Sequence, residues 1–219
     1  MLDITYIEEL YKDALNNPDK YRSWIDIHYG GELSTPYRAG LVLTDGWTSN
    51  LKGKVITFKT TTVETLYVIL NAFSIKSLRL TRIIKTKTKG IRCEFLVKVV
   101  DEECSTLVKS LLNNCQIVLR ELSKEDLVDL LAGIFDGDGI ATRKYIAISV
   151  KPEVSRKGRI VYEITTYILD NFSVHYHKSY ERVYISVKDL RAKMPTLYDK
   201  VHHPRRKTML AWHLFRISA

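Results

Sequence analysis

Two aspartates carry the first hint of chemistry. Asp138 closes the stretch Leu130-Leu131-Ala132-Gly133-Ile134-Phe135-Asp136-Gly137-Asp138-Gly139, and 93 residues earlier Asp45 closes a second version, Tyr37-Arg38-Ala39-Gly40-Leu41-Val42-Leu43-Thr44-Asp45-Gly46. Each copy opens on a helix-start signal, Thr35 before Pro36 in one and Ser123 with Asp126 three positions on in the other. Each closes on a glycine suited to the position just past a helix. The acids are therefore predicted at the C-terminal ends of two short helices, where the helix dipole disfavours a carboxylate. An acid placed there twice requires a compensating cation or a structural reason, and a divalent metal would supply the cation.

Leu131 to Gly139 matches six of the nine positions of the LAGLIDADG signature (Leu131, Ala132, Gly133, Asp136, Asp138, Gly139), and Arg38 to Gly46 matches five (Ala39, Gly40, Leu41, Asp45, Gly46). Over roughly residues 34–219 the chain thus resembles a LAGLIDADG homing endonuclease of the monomeric, two-repeat kind. The resemblance implies an α+β fold with the motif helices packed at a pseudo-two-fold axis and antiparallel sheets forming a DNA-binding saddle. It implies that Asp45 and Asp138, with Gly46 and Gly139 beside them, bind Mg²⁺, for which Mn²⁺ can substitute. The implied activity is site-specific cleavage of both DNA strands across the minor groove, leaving short 3′ overhangs at an intron insertion site. A basic residue after the third helix of a repeat commonly assists. The matching windows offer Arg120 and Lys124, then Lys200, Arg205 and Lys207, of which Lys124 and Lys207 are the candidates. A LAGLIDADG protein can also serve as a maturase that binds intron RNA, but intact Asp45 and Asp138 favour the nuclease.

The residues give this reading a physical basis. Ala39 and Gly40 in one predicted helix, and Ala132 and Gly133 in the other, would let two backbones approach closely. Carboxylates brought together repel and raise one pKa unless divalent ions hold both ionised. Two metals ~3.5–4 Å apart can clamp the attacking and leaving oxygens of a phosphodiester displacement. Asp136 is different, because its counterpart in the first copy is Leu43, so this acid reads as structural. Arg38 and Thr44 depart from the signature's usual Leu and Ala.

Charge agrees with a polyanion partner. The 34 Lys and Arg outnumber 25 Asp and Glu, for a formal net charge of +9. Residues 1–34 hold seven acids and only three bases, so the surplus lies in the remainder of the chain. No run approaches the ~20 apolar residues of a membrane span, and the acidic N-terminus resembles neither a signal nor a transit peptide. Cys93, Cys104 and Cys115 are odd in number and too widely spaced for a Cys-x-x-Cys knuckle, which fits a reducing compartment. The expectation is a soluble intracellular monomer without membrane or obligate protein partner, acting on double-stranded DNA with a long asymmetric target. A prokaryotic cytoplasm is the first choice of compartment and an organelle the second.

Periodicity sets out the scaffold. Residues 1–34 form an extension with a helix over 4–15. Residues 35–112 form the first repeat, 113–122 a connector and 123–219 the second repeat. After the first motif come strands 47–51 and 55–60 turned at Lys52-Gly53, a helix over 63–73, a hairpin of 78–85 and 91–100, and a helix from Asp101 to Leu112. The second half replays the order with strands 140–144 and 145–151, a helix 159–171, a hairpin of 174–180 and 182–187, and a helix 189–201 interrupted at Pro195. Both halves read α-β-β-α-β-β-α. Pro204 starts a closing helix with Leu210, Leu214 and Ile217 as its apolar face.

DNA contact is expected on strand faces. If Ile56 and Phe58 point to the helices, then Thr57, Lys59 and Thr61 point outward, and the same parity exposes Tyr145, Ala147, Ser149 and Lys151. The second hairpins offer Arg92, Glu94 and Lys98, then Arg182, Tyr184, Ser186 and Lys188. Such side chains can read base edges in the major groove. Lys85, Lys87 and Lys89 suit phosphate contact, since they carry charge with little directional information. His175 with His177 and His202 with His203 would be the material of a Zn²⁺ site, but no fourth-ligand spacing supports one.

Overall fold

A computed structural model of the chain describes residues 2–28, 33–48, 54–86 and 90–215. The expected Lys52-Gly53 turn, Lys87, Lys89 and Ile217 lie outside the described residues. The fold is α+β, with two antiparallel sheets, and divides into two compact units, Met1–Leu33 with Asp45–Ser105 and Ser34–Thr44 with Thr106–Ala219.

In the first unit, helix α1 (Ile4–Asn16) starts at Asp3, whose carboxylate accepts the Thr5 N–H, and buries Ile7, Leu10 and Ala14. A 3-10 turn (Pro18–Tyr21) and a short strand β1 (Ile25–Ile27) follow. The five-stranded sheet has the order β1-β4-β5-β3-β2, with β2 at Gly46–Thr48, β3 at Val55–Thr60, β4 at Lys76–Thr86 and β5 at Gly90–Val100. Helix α3 (Val63–Ala72), capped by Thr62, supplies Leu66, Ile69 and Leu70 to the core. One sheet face contributes Ile56, Phe58, Leu78, Phe95, Val97 and Val99 to that core. Strand parity follows from this burial, since a one-residue slip would turn every apolar side chain to solvent. The β4–β5 hairpin returns at Gly90, whose φ of 69° is natural only for glycine.

The second unit contains helix α2 (Thr35–Asp45) except for its last residue, and helix α5 (Lys124–Asp138). Helix α5 begins with the expected capping box, Ser123 accepting from the Asp126 N–H and Asp126 returning the bond. The four-stranded sheet has the order β6-β7-β9-β8, with β6 at Gly139–Ala141, β7 at Ile146–Ser149, β8 at Tyr176–Lys178 and β9 at Arg182–Ile185. Helix α6 (Arg156–Asn171) buries Ile160, Val161, Ile164 and Ile168, and helices α7 (Val187–Lys193), α8 (Leu197–Lys200) and α9 (Pro204–Phe215) complete the unit.

Together with helix α4 (Glu102–Glu121), the chain runs α2-β2-β3-α3-β4-β5-α4 and then α5-β6-β7-α6-β8-β9-α7, so the order read from periodicity is the order observed. The stretch 113–122, expected to connect the repeats, is helical as far as Glu121, and the helix expected to stop at Leu112 runs on into it. Helix α4 continues through it with a bend at Asn114 (φ −138°, ψ 47°). The bend frees the Leu112 carbonyl, which accepts from Arg156 Nη2 at 2.7 Å. Strand β1 had no alternating pattern long enough to announce it.

Candidate functional site

The two motif helices meet backbone to backbone. A methyl group built on Gly40 would lie 2.7 Å from the Ile134 nitrogen, and one on Gly133 would lie 3.0 Å from the Leu41 nitrogen and overlap the Tyr37 carbonyl. The contact at Gly40 and the overlap at Gly133 are closer than a Cβ comes to main chain, so glycine at these positions sets the approach. Ala39 and Ala132, the other small residues of the pattern, are fully buried. One turn further on, a methyl on Gly137 would strike the Thr44 side chain, whose hydroxyl bonds back to the Gly40 and Leu41 carbonyls at 3.1 and 2.9 Å.

The acids end these helices as expected: Asp45 is the last residue of α2 and Asp138 the last of α5. The glycine after Asp138 does stand just past its helix, but in extended rather than left-handed backbone. Gly139 has φ −69° and ψ 146°, donates its N–H to the Phe135 carbonyl and passes directly into β6. It is glycine for space, because a Cβ would strike the Phe135 carbonyl and ring. Gly46 likewise begins a strand, opposite Phe58.

Asp138 faces a cavity of about 200 Å³ lined also by Leu43, Thr44, Ser149, Lys151 and Lys157. Its carboxylate takes no hydrogen bond or ion pair from the described residues. Burial pushes its pKa above the ordinary value, and the positive charges of Arg206, Lys157 and Lys151 oppose the rise. The loop between β7 and α6 brings the two lysines there. Lys151 has a left-handed φ of 39°, Ser155 caps α6 by accepting the Gly158 N–H at 2.9 Å, and a methyl on Gly158 would strike the Val150 and Lys151 carbonyls. Lys157 Nζ donates to the Thr44 carbonyl at 3.0 Å, and Arg206 Nη2 to the Gly137 carbonyl at 2.8 Å. Cations thus satisfy carbonyls at the ends of both motif helices, where the dipole is negative.

These cations are not the ones chosen from sequence. Lys124 is the first residue of α5, the end opposite Asp138 and roughly 20 Å along the axis at 1.5 Å per residue. Lys207 lies over the Tyr198 ring at 5.0 Å and is not among the charges acting on Asp138. Its neighbour Arg206 is among those charges. Arg206 belonged to the same basic run, but Lys157 had no local signal, since only the turn at Val150–Ser155 directs it back to the motif helices.

Asp136 is fully buried in a different setting. It accepts the Tyr37 hydroxyl at 2.5 Å and the backbone N–H groups of His202 and His203 at 2.6 and 3.1 Å. It therefore ties α5 to α2 and to the segment leading into α9. Those histidines are kept neutral by burial, with pKa values near 4 and 3, while His175 Nδ1 contacts Asp189 at 2.5 Å. Among the described residues no three His, Cys, Asp or Glu side chains gather to hold a metal.

On the first sheet, register places Thr57, Lys98 and Ser77 in one outward row and Lys59, Leu96 and Arg79 in the next. Lys59 and Lys85 are exposed, Thr61, Arg92 and Lys98 half-buried, and Thr57 buried. Glu94 pairs with Lys59 and Arg82 at 3.0 and 3.1 Å. Burial would raise its pKa, but hydrogen bonds from Thr81, Lys59 and Arg82 outweigh that and hold it below the usual value. On the second sheet Tyr184 and Arg182 stand opposite Ala147 and Ser149. Arg182 Nη1 donates to the Tyr145 hydroxyl at 3.2 Å, and the Tyr145 and Tyr184 rings are 5.2 Å apart. The packing of these rings leaves Ala147 buried rather than outward-facing in solvent. Ser186 and Lys188 are not strand residues. Ser186 caps α7 by accepting the Asp189 N–H, and Lys188 lies inside that helix. The Ser-x-x-Asp spacing was the available signal.

No protein-family model matches the chain, and no curated protein matches it. Among solved structures it is similar to the homing endonuclease I-DmoI. The structure of I-DmoI in complex with DNA and Ca has a TM-score of 0.49 at 16% identity, over 80% of this chain and 95% of that one. The complex with DNA and Mn gives 0.44 at 15%, over 73% and 94%. A mesophilic variant of I-DmoI gives 0.43 at 17%, over 82% and 96%.

Proposed function

We propose that the protein is a metal-dependent, site-specific endonuclease of double-stranded DNA, with Asp45 and Asp138 as its metal-binding pair. One observation carries this reading: two copies of a single sequence pattern fold into helices that touch through their glycines, and each ends on an aspartate. A tight crossing alone requires the glycines and not the acids.

The donor set fits a hard divalent ion such as Mg²⁺ or Mn²⁺. Asp138 offers carboxylate oxygens that no described protein group occupies, burial makes its charge costly, and a cation would relieve that cost. Such an ion supplies an activated water and neutralises charge on a phosphodiester. The metal-holding role is assigned to the two carboxylates alone, since Gly46 and Gly139 enter their sheets at once. Lys157 and Arg206 fix the carbonyls of Thr44 and Gly137, immediately before Asp45 and Asp138, and so orient both helix ends. Lys59, Lys85, Arg92, Lys98, Tyr145, Ser149, Arg182 and Tyr184 are proposed as strand contacts to DNA. No helix among the described residues is long and apolar enough to cross a membrane. The reading places the protein in a compartment that holds DNA, the cytoplasm of a prokaryote or an organelle.

The test is cleavage of a plasmid library of candidate intron-insertion sequences with Mg²⁺, beside Asp45→Asn and Asp138→Asn. Discrete double-strand cuts are expected from the wild-type chain and lost in both variants, with DNA binding retained. Absence of cutting together with tight, specific binding to intron RNA would replace the nuclease by a maturase.

A further inference from the structure

We infer that the N-terminal segment and the open edge of β4 form a second nucleic-acid contact, a groove for a phosphodiester backbone built on Arg22, Arg79 and Arg82. This rests on the nuclease reading and extends it to two arginines of β4 and to Arg22, which lies outside the repeat.

The groove is a cavity of about 570 Å³, lined by Pro18 and Arg22 from the N-terminal segment and by Arg79, Thr81 and Arg82 from β4. It exists because β1 pairs only with Lys76, Ser77 and Leu78. Beyond Leu78, among the described residues, β4 has a strand partner on the β5 side alone, and its register shifts between Leu80 and Arg82. Arg79 and Arg82 lie opposite Leu96 and Glu94, so both share the outward face with Lys59 and Lys98.

Arg79 is the most informative of the three. Among the described residues it makes no hydrogen bond or ion pair, and its Nε is buried without a partner. It is held instead by stacking, with its guanidinium 4.9 Å from the Trp24 ring, on which Lys98 Nζ also lies at 4.6 Å. Stacking positions a guanidinium while leaving its donors uncommitted, the state in which arginine grips a phosphate by two parallel bonds. Among the described residues the Arg22 side chain is engaged only by Asp19, at 3.1 Å between two exposed side chains, a pairing of little strength that a phosphate can displace. Arg82 shares the single carboxylate of Glu94 with Lys59, which leaves positive charge in surplus. An extended polyanion suits this arrangement better than a free ion, because the same sheet face continues the positive charge through Lys59 and Lys98.

Backbone contacts are independent of base sequence, so a mixed-sequence DNA duplex is a sufficient probe. The measurement is the slope of log affinity against log salt concentration for the full chain, Arg22→Ala, Arg79→Ala, and Lys12→Ala as a charge-loss control on α1 outside the groove. Each arginine variant is expected to make the slope shallower by about 0.9, the value of one phosphate contact on duplex DNA. Lys12→Ala should match wild type. Arg22 is exposed, so its variant should keep the wild-type melting temperature even if loss of the Arg79 stack loosens the sheet edge. Wild-type binding with Arg22→Ala no different from Lys12→Ala would overturn the groove and leave the nuclease reading standing. A wild-type chain that binds no duplex at all would overturn both.

Discussion

The two motif helices follow one plan up to a point and then part. At Gly40 and Gly133 they are equivalent, each lending bare backbone to the other. Three residues on, α2 carries Leu43, 1% exposed and apolar, whereas α5 carries Asp136, buried and bonded to Tyr37, His202 and His203. At the next position Thr44 lies against Gly137. The difference shows which parts of the duplicated pattern serve the crossing and which serve the surroundings. The crossing needs two glycines. The carboxylate at Asp136 serves only the second copy, because only there does a chain segment arrive with N–H groups to donate.

The largest effect should come from breaking the equivalence itself. Gly133→Val places branched carbons where the Tyr37 carbonyl and Leu41 nitrogen already lie, and backbone cannot withdraw as a side chain can. We expect loss of the cooperative unfolding transition, read by circular dichroism during thermal denaturation. A variant with a wild-type melting curve would show that the helices cross elsewhere.

An intermediate effect tests the asymmetry. Leu43→Asp installs the second copy's acid in the first copy's apolar setting and should cost about 3–5 kcal/mol, the cost of an uncompensated buried charge. Asp136→Ala removes the acid from its partners, strands the Tyr37 hydroxyl and two N–H groups, and should cost about 2–4 kcal/mol. Urea denaturation measures both. If Leu43→Asp were as stable as wild type, the two positions would be interchangeable and the contrast empty.

The smallest effect concerns Thr44 and Gly137. Gly137→Ala alone should destabilise by about 1–3 kcal/mol through overpacking on Thr44. Thr44→Ala alone should change stability by less than about 1 kcal/mol, since its hydroxyl only bonds back to its own helix. Combined, the two should recover most of the loss, giving a coupling of about 1 kcal/mol or more in a double-mutant cycle. Additive values would separate the two sites.

Much of this was legible in the sequence, because it was local or repeated. The small residues at Ala39, Gly40, Ala132 and Gly133 announced a close helix pair, the Ser123 capping box marked where α5 begins, and alternation of Ile56 and Phe58 with Thr57 and Lys59 fixed the faces of β3. The replacement of Asp136 by Leu43 in the first copy pointed to a structural use. What escaped depends on distant partners. Nothing near Lys157 says that its ammonium reaches the Thr44 carbonyl, and nothing near Arg79 says that Trp24 lies against it. The helix expected to end at Leu112 instead resumes past Asn114, and the Leu112 carbonyl at the bend is taken by Arg156, 44 residues away. Ser186 and Lys188 were assigned to a strand by continuing its parity one step beyond a cap signal that was already present.

The glycine crossing also constrains how such a chain can change over time. Where two side chains meet, a larger residue on one helix can be answered by a smaller one opposite, and a lineage can drift through paired replacements. At Gly40 and Gly133 the opposing group is main chain, which no replacement can shrink. Neither glycine can be relieved by its partner, so a larger residue at either position has no compensating replacement opposite, whereas Leu43 faces no such rule and Asp136 has donors around it.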